Sequence, residues 1–157
     1  MIVHKVHTVH LAIRNTSRHK RLYRTDALKR LAERICAGEG FKREAELSVL
    51  FCDDAMMADL NRRYRHKNHA TDVLAFAQQP GPPFTPSHPS HLHTFLGDLV
   101  ISLDTVEARC GGDRAAMREE IRLLFCHGLL HLLGLHHPTA KERRAMEAKQ
   151  SHYLDRS

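Results

Sequence analysis

Residues 121–135 constrain this chain most. The polar side chains in this run are Arg122, His127 and His131; the rest is leucine, isoleucine, phenylalanine, cysteine and glycine. A helix that is apolar on nearly every side belongs inside a core, not on a surface. The run falls short of the roughly 18 uninterrupted apolar residues that a membrane span needs. His127 and His131 stand four positions apart, about 400° of helix, so both imidazoles share one face a turn apart. Two imidazoles so placed can hold one metal ion. Gly134 is a natural helix stop, because glycine enters the left-handed region without steric cost. The chain can then turn back and offer a third imidazole. The spacing H-x3-H-x2-G-x2-H ends on His137, and the neighbouring His136 is the alternative donor. Three imidazoles with a free fourth position describe a catalytic zinc site, since structural zinc is usually closed by four protein ligands. Nickel and copper accept the same nitrogen donors.

The chain carries 14 histidines in 157 residues, and spacing separates these few from the others. His4, His7 and His10 do not share one strand face. His88, His91 and His93 fall in a proline-rich loop, where a polar loop is a better reading than a second metal site. Cys36, Cys52, Cys110 and Cys126 form no C-x2-C pair, and Cys126 lies about 100° round the helix from His127, so none is expected as a ligand. With no secretory leader apparent at the N-terminus, a reduced cytoplasmic protein with no membrane partner is expected.

The net charge of +6 is uneven. Residues 1–80 hold 15 Lys/Arg against 9 Asp/Glu, and residues 81–157 hold 9 against 9. Arg14, Arg18, Lys20, Arg21, Arg24, Lys29 and Arg30 form one cluster; Arg62, Arg63, Arg65 and Lys67 form another. Such faces attract polyanions, nucleic acid among them, although a merely solvated face is the plainer reading of charge alone.

The pattern along the chain predicts a single α+β domain over 1–157, with a small mixed four-stranded sheet and about five helices. Val9, Leu11 and Ile13 alternate as a strand, as do Leu47, Val49 and Phe51. Further strands are expected over 73–77 and 95–103, with Gly97 as a bulge or close-approach point. Thr25 is the expected cap of a helix carrying Leu28, Leu31, Ala32 and Ile35 and stopped at Gly38 and Gly40. Asp53 is expected to cap a second, with Met56, Met57, Leu60 and Tyr64 inward. Asp104 should cap a short third and Asp113 the long buried one. Thr139 with Glu142 makes a capping box for the last. Residues 78–93, with five of the six prolines, read as a long loop.

The histidine spacing is shared with metzincin proteases, H-E-x-x-H-x-x-G-x-x-H, but Gly128 stands where their general-base Glu would be. The full motif, HGLLHLLGLHH, resembles the H-G-x-L-H-L-x-G-x-D-H signature of the YbeY family of metal-dependent endoribonucleases. Leu60-Asn61, Tyr64-Arg65, the run from Thr71 through Phe76, and Leu96-Gly97-Asp98-Leu99-Val100-Ile101 resemble further segments of that family in the same order. Glu119, Glu120 and Met146 also fall at its Glu and Met positions. The chain departs from the family pattern at His136, where the family carries Asp, and at Ala70, Ala75 and Ala77. The resemblance implies His127, His131 and His137 as zinc ligands and Arg65 as the catalytically important arginine. It implies cleavage of single-stranded RNA in 16S ribosomal RNA 3′-end maturation and in ribosome biogenesis and quality control, with the ribosome and ribosomal proteins as partners. The basic first half, Arg62, Arg63 and Lys67 included, would then track RNA. Asp72 and Asp98 are candidates to orient ligand histidines, or simply strand-end caps; Asp59 or Asp72 could instead pair with Arg65. The competing readings are another zinc metallohydrolase and a non-catalytic ribosome-binding factor with a structural metal.

Overall fold

The computed structural model describes residues 8–41, 43–78 and 93–155. Nearly all of the expected 78–93 loop lies outside them, as do His4, His7, His88, His91 and the side chain of His93. The elements run β1 (Val9–Asn15), α1 (Thr25–Gly38), β2 (Glu44–Cys52), α2 (Asp54–Arg65), β3 (Val73–Ala77), β4 (His93–Ser102), α3 (Leu103–Cys110), α4 (Arg114–Leu132) and α5 (Ala140–Leu154). The strands form one mixed sheet in the order β1-β2-β4-β3. The β1–β2 and β2–β4 pairs are parallel, and β3 runs antiparallel to β4. The expected α+β architecture is the one observed.

Strand alternation divides the core between the two faces of the sheet. One face, with Val49, Leu99 and Ile101, packs with residues of α1, α4 and α5 into the main core. The other carries a smaller cluster of Cys52, Met57, Leu74 and Val100 under α2. Helix α4 lies in the main core, with Ile121, Phe125, Cys126 and Leu129 at most 1% exposed, as its all-round apolar sequence requires.

Local signals hold at most element ends. Asp53 Oδ1 accepts the Met56 N–H at 2.8 Å, and Thr139 with Glu142 forms the reciprocal capping box. Gly97 sits beside a register shift at φ +139°, where a Cβ would overlap the Phe76 carbonyl oxygen. Three caps differ. The cap of α3 is Ser102, because the Asp104 carboxylate accepts the Asp54 N–H at 3.2 Å and contacts His19 Nε2 at 3.1 Å. Thr25 is already helical, with Arg24 in the cap position and no side-chain bond there. Asp113 occupies the cap position of α4 without a side-chain bond. On α2, Met57 is buried but Met56, about 100° round the helix from it, and Tyr64, in the last turn, are exposed.

Candidate metal centre

Two features of α4 place the histidines. Gly128 packs against the sheet: a Cβ there would lie 2.7 Å from Leu99 Cδ2 and 3.4 Å from Val73 Cγ2. The absent side chain lets the helix approach β3 and β4, and it leaves no room for the protease carboxylate. At the other end, the Gly134 N–H donates to the His131 carbonyl and the Leu135 N–H to that of Leu130, each at 3.0 Å. This is a Schellman stop, with Gly134 at φ +95°. The reversal returns the chain over the helix face that carries His127 and His131.

The third imidazole so delivered is His137. His131 Nε2 lies 2.9 Å from His127 Nε2 and 3.1 Å from His137 Nε2. Three nitrogens tetrahedrally bound at 2.0–2.1 Å from one ion would stand about 3.3 Å apart. The cluster is within a few tenths of that spacing, and its three donors could hold a metal ion. His136 stays outside the group, exposed, with its ring centroid 6.1 Å from that of His131.

For His127 and His131 the surroundings favour the neutral ring, the form that binds metal. Burial, then the neighbouring His127, His137, His136 and Arg65, push His131 down to about 4. Burial and His137 also lower His127, while the Asp72 carboxylate acts in the opposite sense. Arg65, in the last turn of α2, is the weakest of these influences on His131. Among the described residues Arg65 forms no ion pair: Asp59 is taken by Arg62 and Arg63, and Asp72 by Arg109 at 2.9 Å. Arg62, Arg63, Arg65 and Lys67 are all exposed. Much of the first basic cluster is spent locally, with Arg18 on Asp104 and Glu107, and Arg24 and Arg30 on Asp26.

Neither candidate carboxylate bonds to a ligand histidine. Asp72 accepts the Val73 N–H at 2.7 Å through Oδ1 and binds Arg109 of α3 through Oδ2, so one oxygen serves the start of β3 and the other an ion pair. Asp98 falls with Val100 on the α2 face of the sheet by strand alternation, away from α4. The group on His127 Nδ1 is instead the buried Gln150 amide of α5, at 2.6 Å. The atom nearest Nδ1 is the amide nitrogen, Nε2; with His127 offering its own Nε2 to an ion, Nδ1 carries the proton, and the amide turned end for end presents its oxygen as the acceptor. Gln150 was signalled only by being polar on the stripe Met146, Gln150, Tyr153, the buried face of α5. The cysteines take no part: burial pushes the Cys36, Cys52 and Cys126 thiols up to about 12.

A family model described as Endoribonuclease YbeY matches residues 12–157. The chain is 40% identical over 132 residues to the Endoribonuclease YbeY of Pelotomaculum thermopropionicum, covering 84% of this chain and 85% of that protein. To the Endoribonuclease YbeY of Geobacillus kaustophilus it is 33% identical over 150 residues, covering 95% and 96%. A solution structure of a Thermotoga maritima protein has the same fold, with a TM-score of 0.62 at 22% identity over 92% of this chain and 87% of that one. No helix among the described residues is long and apolar enough to cross a membrane. The match starts within β1 and takes in the end of α2 and all three converging histidines, and the chain belongs to the endoribonuclease YbeY family.

Proposed function

We propose that this protein is a zinc-dependent endoribonuclease that cuts single-stranded RNA. Its proposed setting is the cytoplasm, in maturation of the 16S ribosomal RNA 3′ end and in ribosome biogenesis and quality control, with the ribosome and ribosomal proteins as partners. The observation that carries the chemistry is the convergence of the three Nε2 atoms.

In this reading His127, His131 and His137 hold the ion, and His136 does not. Zinc, when bound, supplies Lewis acidity toward a phosphoryl oxygen and lowers the pKa of water. Arg65 grips the phosphate with two N–H groups and offsets the charge that builds in the transition state. Gln150 fixes the His127 ring and its tautomer. A three-donor set favours a catalytic ion over a structural one, which would take a fourth protein ligand. The packing of Gly128 against Leu99 argues against a protease, whose carboxylate would occupy that space.

The test is cleavage of single-stranded RNA by purified protein alongside His131→Ala and Arg65→Ala. Cleavage by the wild type that both substitutions abolish supports the reading. Equal trace cleavage by all three identifies a contaminant and refutes it.

A further inference from the structure

Among the described residues Tyr64 is the most exposed large hydrophobic, at 64%, yet it does not lie on the outer face of its helix. It follows the buried Met57 by seven residues, which returns it to within about 20° of the same stripe. The apolar stripe of α2 therefore continues past the point where the sheet covers it. Phe76 of β3 meets the ring in an edge arrangement, with centroids 5.2 Å apart and planes at 61°. The aromatic pair is thus braced on one side and open on the other.

Its surroundings are cationic. Arg62, Arg63 and Arg65 occupy the same last turn, and His66 and Lys67 follow. The carboxylates of this region are Asp59, already paired with Arg62 and Arg63, and Asp98, opposite Phe76 in the sheet register. Arg65, which grips the phosphate in the proposed function, is the next residue after Tyr64. A braced, exposed ring among cations is how single-stranded nucleic acid is held: cations track the backbone and an aromatic face takes a base.

We infer that the Tyr64–Phe76 pair is a stacking site for one unpaired nucleobase of the RNA, beside the phosphate that Arg65 grips. The inference rests on the RNA-cleaving reading above and deepens it. Stacking is tolerant of base identity, so the site selects unpaired bases without selecting a sequence.

The test uses metal-free full-length protein and a short fluorescein-labelled single-stranded RNA, so that binding is read without cleavage. Tyr64→Leu keeps an apolar cover over Phe76 and removes the π face. It should bind roughly tenfold more weakly with an unchanged salt slope. Lys67→Ala should instead flatten that slope by about one. The chain has no tryptophan, so Tyr64→Trp adds a single reporter that keeps stacking. Its emission should be quenched as RNA binds. Wild-type protein that binds and cleaves RNA while Tyr64→Leu binds equally well, or while Tyr64→Trp emission does not respond, overturns the stacking site alone. Wild-type protein that neither binds nor cleaves RNA overturns the RNA reading, and the stacking site with it.

Discussion

On one face of the sheet, His127 and His131 ride on a helix packed into the main core, held by Gly128 against Leu99 and by Gln150 behind the ring. At the end of the helix on the other face, Arg65 and Tyr64 stand exposed, with Phe76 as an aromatic brace for Tyr64. The metal donors are positioned by close packing, so a displaced donor costs fold as well as function. The cations owe little to packing, so their loss should change chemistry and leave the fold intact. This suits their tasks: an ion needs donors fixed to fractions of an ångström, whereas a polyanion is drawn by charge and then gripped.

The packed side should break hardest. Gly128→Glu, which restores the protease pattern, places a carboxylate against Leu99 and Val73, and should cost about 3–5 kcal/mol through overpacking and an unpaired buried charge. The urea midpoint measures this, and a variant as stable as wild type would mean that the helix–sheet contact is looser than described. Arg65→Ala should leave the midpoint within about 0.5 kcal/mol of wild type, as for other exposed sites. Its single-turnover cleavage should fall on the order of a hundredfold or more, the scale of losing a charge-stabilising donor. A variant that loses stability and rate together would erase the contrast between the two sides.

A subtler change sharpens it. Gln150→Leu preserves bulk but leaves His127 Nδ1 without an acceptor, and should weaken zinc binding roughly 10- to 100-fold by competition with a chromophoric chelator. Unchanged affinity would reduce Gln150 to a packing residue. Last is the pH dependence of the metal-free protein. An unfolded histidine takes up its proton near pH 6.5, whereas His131 in the fold resists to about 4. Between these values the unfolded chain binds more protons, so stability is lost as pH falls through that window. His131→Ala should flatten this slope, read from denaturation midpoints between pH 4 and 7.

Much of the centre was legible because its determinants are local. The i, i+4 histidines, the Gly134 stop and the spacing to His137 all lie within a few turns of chain. So do the Asp53 cap and the Thr139–Glu142 box. Spacing alone left His136 in contention; the Schellman turn delivers His137 instead. Tertiary partners were not legible. Gln150 lies 23 residues from His127 on another helix. Asp72 and Asp98 have the right chemistry for its place, but strand phase and Arg109 commit them elsewhere. Tyr64 has the periodicity of a core residue, and only the end of the sheet's cover shows that it is exposed.

The most direct measurement is calorimetric titration of zinc into metal-free wild type, His137→Ala and His136→Ala. The account predicts one ion per wild-type chain, binding lost in His137→Ala and kept in His136→Ala. No zinc binding by the wild type, or binding that depends on His136 and not on His137, would contradict it.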